Sequence, residues 1–494
     1  MAVRQMVPPA GGNVELLGLC ALSTFRTSLY RLFTGRADAL FEAVDALLCG
    51  GAPGSFVELS LDPAFRRGHG ALYDALAAGG IDGPGLEHLL ADRFAPGGQG
   101  PVMVAFDLTA IARPWALTCP QRMYVHAGGR GVDARVTRGW YYSLAVGLHW
   151  GPGSWTTPLS AIRLLPSDDA TDVAHTHLQA VHTRLDASGH LGDTPWLAVF
   201  DAGYDLNRLC WLRDRDNLPV QILGRIRANR VFYDRPSPGA PAPRGGRPAR
   251  HGARFALPEP ATHRTPDAAT TITHPRFGQV NITAWHQLHS RLYRDGPWTL
   301  ARHPDQLPII EGTVIRIDAE HLPGIQHPEP MWLWHNAPPN TDFDPAGLWM
   351  AYLRRFDIEH TIKFCKRTLG WALPKTGTPD QQDLWTHLVL AAYTQLRLAR
   401  TLTADLPRPW QQRTPPGRLP TPGRTAQGFR GLTGFLGTPA HPPKPATPSP
   451  GRPKGSTRPP RPRYDVAPKP TDGRHKGRRR RRTLTKPPET ISKG

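Results

Sequence analysis

Two short apolar runs, each ending in an aspartate, constrain the fold of this chain more than any other feature. Val102–Asp107 and Trp196–Asp201 are continuous apolar stretches up to their carboxylates. Such runs are typical of strands that are buried on both faces of a sheet. Open α/β sheets place their sites at the carboxyl ends of the strands. We therefore predict that Asp107 and Asp201 end two buried strands and contribute to one site.

The pattern around these runs predicts an α/β fold. Trp140–Trp150 and Thr156–Leu165 are predicted strands, and Thr171–Ala187 is a predicted helix. A short helix over Asp205–Arg213 and a strand over Val220–Leu223 follow the second aspartate. The predicted order is therefore β-β-β-α-β-α-β.

The helix over residues 171–187 carries three histidines, His175, His177 and His182. On a helix the first two point about 200° apart, so they cannot share a metal ion. We expect these histidines to lie on a solvated face.

The segment from Arg225 to about Pro338 is different in kind. It contains a Pro/Gly/Arg-rich loop at Ser237–Arg250, followed by alternating segments that predict short strands at Val280–Trp285, Gly312–Asp318 and Met331–His335. We interpret it as a β-rich insertion. Beyond it, a long helix is predicted over Leu348–Leu369. Another begins at the Thr378-Pro379-Asp380-Gln381 cap and runs to about Ala404.

The positive charge of the chain is concentrated at its end. The formal net charge is +20, and residues 401–494, which are also rich in proline, hold +17 of it. A segment with this charge and few apolar groups cannot offset its chain entropy, so we expect disorder from Pro407 onward. Residues 13–95 are predicted to be helical. Their helix pair around Gly79-Gly80 favours plain packing over a DNA-reading helix-turn-helix.

Several classes of protein are excluded by composition and motifs. No stretch approaches the roughly 18 to 20 apolar residues of a membrane span, and no signal peptide is recognisable. The five cysteines have no C-x-x-C spacing, which argues against a zinc site and for a reducing, cytoplasmic location. Neither a phosphate-binding G-x-x-x-x-G-K-[ST] loop nor a G-x-S-x-G elbow occurs.

Four residues of the predicted helix over 348–369 favour a catalytic site. Tyr352, Arg355, Glu359 and Lys366 fall within a stripe about 60° wide, beside an apolar stripe. An ordinary amphipathic helix with a Glu359–Lys363 pair is the alternative, and it would be preferred for this helix alone. Three carboxylates meeting at one point would repel each other unless divalent cations neutralised them. Two Mg²⁺ ions held there could support displacement at phosphorus.

The spacing Tyr352-x2-Arg355-x3-Glu359-x6-Lys366 resembles the Tyr-Arg-Glu-Lys signature of the insertion-sequence four superfamily of bacterial DDE transposases. Phe106-Asp107-Leu108-Thr109 and Phe200-Asp201-Ala202-Gly203-Tyr204 resemble the segments that carry the first and second aspartates of that family. The tail segment 450–455 is similar to that of related actinobacterial transposases. The resemblance implies a ribonuclease-H-like mixed sheet flanked by helices, with a β-rich insertion between the second aspartate and the glutamate.

The resemblance also implies roles for these residues. Asp107, Asp201 and Glu359 would be the catalytic metal ligands for Mg²⁺, with Mn²⁺ as a substitute. The implied DNA contacts are Tyr352, Arg355, Lys366, Lys363 and Arg452. The partners would be double-stranded DNA, as inverted-repeat ends and target, and further copies of the chain in a dimer or higher oligomer. We expect a cytoplasmic, nucleoid-associated protein with no membrane partner.

These expectations divide the chain into four parts. They are a helical N-terminal DNA-binding or accessory domain (1–97), a catalytic domain (98–224 and 340–404), a β-rich insertion (225–339) and a basic, largely disordered tail (405–494). The predicted function is cut-and-paste DNA transposition. Two alternatives stay open: an inactive, domesticated DNA-binding relative, and a metal-dependent nuclease of the same fold without strand transfer. The presence of all three acidic residues counts against the first alternative.

Overall fold

The computed structural model describes residues 12–51, 53–97, 100–126, 135–192, 196–236, 249–295, 298, 307–325, 328–337, 344–445, 451, 453–457 and 459–467. The strands in these ranges are β1 Phe33–Gly35, β2 Gly80–Ile81, β3 Met103–Ala112, β4 Met123–His126, β5 Val136–Leu148, β6 Thr157–Arg163, β7 Trp196–Phe200, β8 Val220–Ile226, β9 Val231–Tyr233, β10 Arg254–Ala256, β11 Ala268–His274, β12 Gly278–Ser290, β13 Glu311–Ala319 and β14 Met331–Asn336. The α-helices are α1 Gly12–Leu32, α2 Ala37–Gly50, α3 Phe56–Leu59, α4 His69–Ala78, α5 Gly83–Ala91, α6 Ala170–Ala187, α7 Leu206–Arg215, α8 Pro345–Arg354, α9 Phe356–Arg367, α10 Pro379–Ala399, α11 Pro422–Phe429 and α12 Thr433–Leu436. Within these ranges, no helix combines the length and apolar character of a membrane span.

A mixed sheet of twelve strands, β3 to β14, forms the centre of the molecule. In its middle the strand order is β6-β5-β3-β7-β8. The first three strands are antiparallel, and β3, β7 and β8 are parallel. Helix α7 connects β7 to β8, and the connection from β3 to β7 runs through β4, β5, β6 and helix α6. The α/β prediction is confirmed. The short β4, which also pairs with β5, was missed.

The two predicted buried strands are buried on both faces. In β3, Met103 and Ala105 belong to one apolar cluster, whereas Val104 and Phe106 belong to another on the opposite face. This division follows from the two-residue repeat of a strand, because neighbouring side chains point to opposite faces. The first cluster includes residues of α2 and α10, and the second includes residues of α6 and α7. Covering both faces with helices explains the continuous apolar sequence.

Strand β3 does not end at Asp107, so the prediction of a strand-end aspartate is wrong there. The strand continues to Ala112 in antiparallel register with β5, and Asp107 lies opposite Leu144. The parallel register with β7, in contrast, stops at the pair Ala105 and Val199. Asp107 therefore lies inside a strand but just beyond the point where two strands separate. Asp201 does follow the last residue of β7, as predicted.

The N-terminal residues are helical, and they share a core with the last long helix, α10. Arg26 of α1 is buried and donates to Asp45 of α2 over 2.6 Å and to Gln395 of α10 over 2.8 Å. The Thr378 hydroxyl caps α10 by accepting from the Gln381 amide, as its sequence predicts. The helix ends at Ala399 rather than Ala404. The boundary at residue 97 and a DNA-binding role for this region stay predictions.

The long helix predicted over residues 348–369 is two helices, α8 and α9, which meet at Arg355. The Arg355 amide donates to the Tyr352 carbonyl, and the Ile358 amide donates to the Arg355 carbonyl. Both bonds span three residues instead of four, so the turn tightens and the regular 100° step is lost. The single 60° stripe assumed for the four signature residues is therefore interrupted.

The strands predicted for the insertion are present as β12, β13 and β14, and they continue the central sheet. Strand β14 pairs antiparallel with β8, and β13 and β12 follow outward. Most of the predicted loop over Ser237–Arg250 lies outside the described residues. The insertion is therefore an extension of the same sheet, which its sequence alone does not reveal because strand pairing is a long-range property.

Part of the tail packs on the body, so the expectation of disorder from Pro407 is wrong for residues up to 445. It is also wrong for residues 459–467, where the Tyr464 amide donates to the Leu117 carbonyl. Helix α11 buries Thr425 and Phe429 against an apolar surface formed with α2 and α10. Arg424 pairs with Asp405 over 2.8 Å, and Trp155 donates to the Pro420 carbonyl. A few apolar residues suffice here because the body supplies the rest of the core. Residues 468–494 lie outside the described ranges.

The histidines of α6 are not on a solvated face, which corrects that expectation. His177 is completely buried and lies within hydrogen-bond distance of Ser143 and Ser160. His175 is buried beside Asp216, and His182 stacks on Trp196. The helix lies across the sheet, and short polar residues of β5 and β6 hydrogen-bond its inward histidine.

Candidate active site

The predicted aspartates line one cleft with a volume of about 600 Å³. Asp107 comes from β3 and Asp201 from the residue after β7, so the separation of these two parallel strands brings both to its wall. Lys366 of α9 lies on the same cleft. Three of the residues predicted from sequence therefore meet, although 259 positions separate the first from the last.

The Asp107 carboxyl is electrostatically strained in its ionised form. Burial, together with the nearby Asp201 and Glu359 carboxylates, raises its pKa to about 7, while Arg355 opposes the shift. A buried carboxylate near like charges is stabilised by a proton or by a cation. The arrangement therefore favours binding of a positively charged group at neutral pH.

Asp201 is held in place by its own turn. Its Oδ1 atom accepts a hydrogen bond of 2.6 Å from the Gly203 amide. Two residues later Asp205 caps helix α7 by accepting from the Arg208 amide. The buried Tyr204 ring packs on Phe200 and anchors the turn in the core. Within the described ranges, no hydrogen bond or ion pair engages the second carboxylate oxygen of Asp201.

Glu359 is near the two aspartates but is held by a different partner. Its side chain is 51% exposed and accepts a hydrogen bond of 2.6 Å from the Arg355 guanidinium, one helical turn before it. Arg355 itself is buried, with its guanidinium 5.5 Å from the centre of the Tyr352 ring and 4.9 Å from that of Phe356. The two aromatic rings thus hold Arg355 in place, and Arg355 in turn holds Glu359.

The other four residues predicted to contact DNA differ from Arg355 and from each other in their surroundings. Tyr352 is completely buried, so its ring cannot touch DNA in this conformation. Lys366 donates a hydrogen bond of 2.6 Å to the Ala110 carbonyl, and burial lowers its pKa to about 8. Lys363 is exposed on α9. Arg452 lies outside the described residues.

The residues present fit a hard divalent cation only in part. Carboxylate oxygens are the donors that Mg²⁺ prefers, and the raised pKa of Asp107 indicates uncompensated negative charge beside Asp201. In the described part of the chain, however, no group of three His, Cys, Asp or Glu side chains is close enough to hold one ion. Glu359 must leave Arg355 before it can join the two aspartates.

Residues 28–291, more than half of the chain, match the sequence family described as DDE superfamily endonuclease. The chain belongs to this family. The match contains Asp107 and Asp201 and ends before Glu359. In this DDE superfamily endonuclease the two aspartates therefore lie within the family match, whereas the third acidic position lies outside it.

The chain is also similar to a solved structure, the cryo-EM structure of the piggyBac transposase synaptic complex with hairpin DNA. The TM-score is 0.39 and the sequence identity is 9%, with 78% of this chain and 76% of that chain covered. A likeness this remote supports no inference about the endonuclease. No curated protein sequence matches this chain.

Three arginines beside the candidate active site were not predicted from the sequence. Arg225, Arg227 and Arg230 are exposed at the end of β8 and in the turn after it. They line a small pocket of about 30 Å³ together with Ala202 and Asp205. The clustered basic residues of Gly224–Arg230 were the available signal. Their position next to Asp201 is a consequence of the parallel pairing of β7 and β8.

Proposed function

We propose that this endonuclease is a DNA transposase that moves an insertion sequence by cut-and-paste transposition. The observation that carries the proposal is the meeting of Asp107, Asp201 and Lys366 on one cleft, with Glu359 close enough to raise the pKa of Asp107. Membership in the DDE superfamily endonuclease family supports the reaction class. The Tyr-Arg-Glu-Lys spacing supports membership in the insertion-sequence four superfamily.

The sheet supports a ribonuclease-H-like catalytic domain. Its central order β6-β5-β3-β7-β8 has three antiparallel strands followed by two parallel ones, as the resemblance implies. The first carboxylate lies on the central strand of this set and the second lies after its parallel neighbour. Adjacent strands of one sheet are a rigid support for two groups that must act on the same phosphate.

In this proposal Asp107, Asp201 and Glu359 hold Mg²⁺, or Mn²⁺ in its place. Such ions supply positive charge for in-line displacement at phosphorus. The chain's own residues bind and orient the DNA. Lys366 of α9 lines the cleft, and its ammonium group can bind a phosphate. When Glu359 turns toward the aspartates it releases the Arg355 guanidinium, which can then bind the DNA backbone. The buried Tyr352 ring positions the Arg355 guanidinium that lies over it.

The arginine cluster of Arg225, Arg227 and Arg230 would bind DNA phosphates next to the cleft. We expect the triple change to alanine to make the slope of log affinity against log salt shallower by about 0.9 for each phosphate that is no longer neutralised on duplex DNA. Titrations of a duplex at several salt concentrations measure this slope. Arg31→Ala, at an exposed position of α1, is the matched control. An unchanged slope in the triple variant would show that these arginines do not contact DNA.

A joining assay tests the proposed function against its alternatives. A donor carrying the element ends, a target plasmid and Mg²⁺ should yield joined product with the wild-type chain, which is proposed to act as a dimer or higher oligomer. Cleavage without joining would indicate a nuclease of the same fold. Binding without cleavage would indicate an inactive DNA-binding relative. If joined product also forms with the Asp107→Asn variant, the assignment of Asp107 to the active site is refuted.

A further inference from the structure

A second pocket lies across the β3–β4 loop from the catalytic cleft, and we call it the aromatic–basic pocket. Its volume is about 590 Å³, large enough for a nucleotide-sized ligand. It is formed where the N-terminal helices, the β3–β4 loop, the start of α10 and the packed tail meet. Its lining includes Phe56, Tyr73, Thr118, Lys375, Arg461 and Tyr464.

The charge of the aromatic–basic pocket is positive. Among the residues that the structure describes, its lining contains Lys375 and Arg461 and no acidic side chain. Both cations are exposed, and neither forms an ion pair with any residue in the described ranges. The Arg461 guanidinium lies at the start of α10, within 3.9 Å of the position that a Cβ on Gly377 would take. Unpaired cations in a concave surface attract phosphate.

The same pocket presents two tyrosine rings to solvent. Tyr73 is 46% exposed and Tyr464 is 41% exposed. Tyr73 makes an edge contact with Phe56, which in turn packs on the buried Trp385. Tyr464 is tied to the β3–β4 loop because its amide donates to the Leu117 carbonyl over 2.8 Å. Rings held in this way can stack on bases at little cost in entropy.

The pocket and the catalytic cleft share one wall. Ala112, the last residue of β3, lines the cleft, whereas Thr118 in the β3–β4 loop that follows lines the pocket. On the facing segment Ala372 lines the cleft and Lys375 lines the pocket, and Arg113 at the start of the loop donates to the Ala372 and Pro374 carbonyls. The loop is braced from inside by the buried Arg122, which donates to the Cys119 carbonyl. Trp115 is 85% exposed on the same loop. A strand leaving the cleft over this loop would meet the pocket next.

We propose that the aromatic–basic pocket binds unpaired nucleotides of a DNA strand that passes through the catalytic cleft. The two cations bind phosphates, and Tyr73 and Tyr464 stack on bases. This combination suits a single strand, since bases of an intact duplex are already stacked on each other. The inference rests on the proposed function, because it takes DNA as the substrate of the cleft.

Photocrosslinking tests the site directly on the full-length chain. The probe is an oligothymidylate of about eight nucleotides that carries 5-iodouracil, and crosslinked peptides are identified by mass spectrometry. We expect crosslinks at Tyr73 or Tyr464. Excess unlabelled oligothymidylate should suppress them, whereas an excess of fully paired duplex DNA should not. Crosslinks confined to other parts of the chain, or none, would overturn the proposal.

Matched variants provide the second readout. Lys375→Ala with Arg461→Ala should make the salt slope for the oligothymidylate shallower by about 0.7 for each cation removed. Tyr464→Ala keeps the amide that bonds Leu117 and should weaken binding about tenfold because one stacking ring is removed. Arg31→Ala is the control for charge. Unchanged slope and affinity in these variants would exclude the pocket.

The outcomes separate this inference from the proposed function. Asp201→Asn should leave the crosslinks and the oligothymidylate affinity intact, because Asp201 lies in the other cavity. A wild-type chain that crosslinks at the tyrosines but neither cleaves nor joins DNA would contradict the transposase proposal alone. A chain that cleaves and joins DNA without these crosslinks would contradict the pocket alone.

Discussion

Asp201→Asn is expected to reduce divalent-cation-dependent cleavage of element ends by about 10³-fold or more, because removing one ligand charge costs about 4 kcal/mol of transition-state stabilisation. The turn should survive the change, since the asparagine carbonyl can still accept from the Gly203 amide. Binding of duplex DNA should be retained. Cleavage of a labelled end fragment, measured with and without Mg²⁺, tests the effect, and a binding titration tests the fold.

The matched control for this change is Asp172→Asn. Asp172 is also an aspartate beside the central sheet, but its side chain is 47% exposed, pairs with Arg208 and lies outside the cleft. The Asp172→Asn variant should cleave DNA at the wild-type rate. Asp107→Asn should behave like Asp201→Asn. If Asp201→Asn cleaves at the wild-type rate, the assignment of the active site is wrong.

His177→Gln is expected to flatten the loss of stability in acid. Burial, with a smaller contribution from Arg184, lowers the pKa of His177 to about 3 in the folded chain, against about 6.5 when it is unfolded. The ring lies 3.0 Å from the Ser143 hydroxyl and 2.6 Å from that of Ser160. Because the folded state holds the neutral ring, its stabilisation is present above pH 6.5 and is lost as the pH falls toward 3. The loss is on the order of 4 kcal/mol.

Glutamine can bond both serines but does not titrate, so the variant should keep most of its stability near pH 7 and lose less below pH 6. Urea unfolding at several pH values between about 3.5 and 8 measures the difference. His69→Gln, at an exposed position of α4, should follow the wild-type curve. Parallel curves for wild type and His177→Gln would show that this histidine does not carry the acid sensitivity.

The sequence predicted the parts of the candidate active site that depend on local pattern. The apolar runs before Asp107 and Asp201 indicated buried strands, and both strands are present at the centre of the sheet. The apolar stripe of Ile358, Ile362, Cys365 and Leu369 indicated the buried side of the predicted helix. Three of these residues are buried in the structure, and Ile362 is half-buried. A strand or helix buries a periodic set of side chains, so its pattern survives in the sequence whatever its distant neighbours are.

Local sequence pattern mispredicted the structure where a distant contact decides it. Pairing with β5 carries β3 past Asp107, and the tightened turn at Arg355 divides a helix whose residues all favour continuation. Helix α11 is ordered by a surface that α2 and α10 supply. The charge and proline content of the tail predicted disorder because they describe the segment without that surface.

By itself, then, the sequence determined the α/β class, the buried strands and the acidic residues that follow from them. Only the tertiary structure decided that Glu359 is held by Arg355, that three arginines stand beside Asp201, and that a second pocket lies across a loop from the cleft. The physical reason is the range of the interactions. Side-chain period and burial are local properties, whereas the hydrogen bond from Lys366 to Ala110 joins residues that only the packing of the sheet and helices brings together.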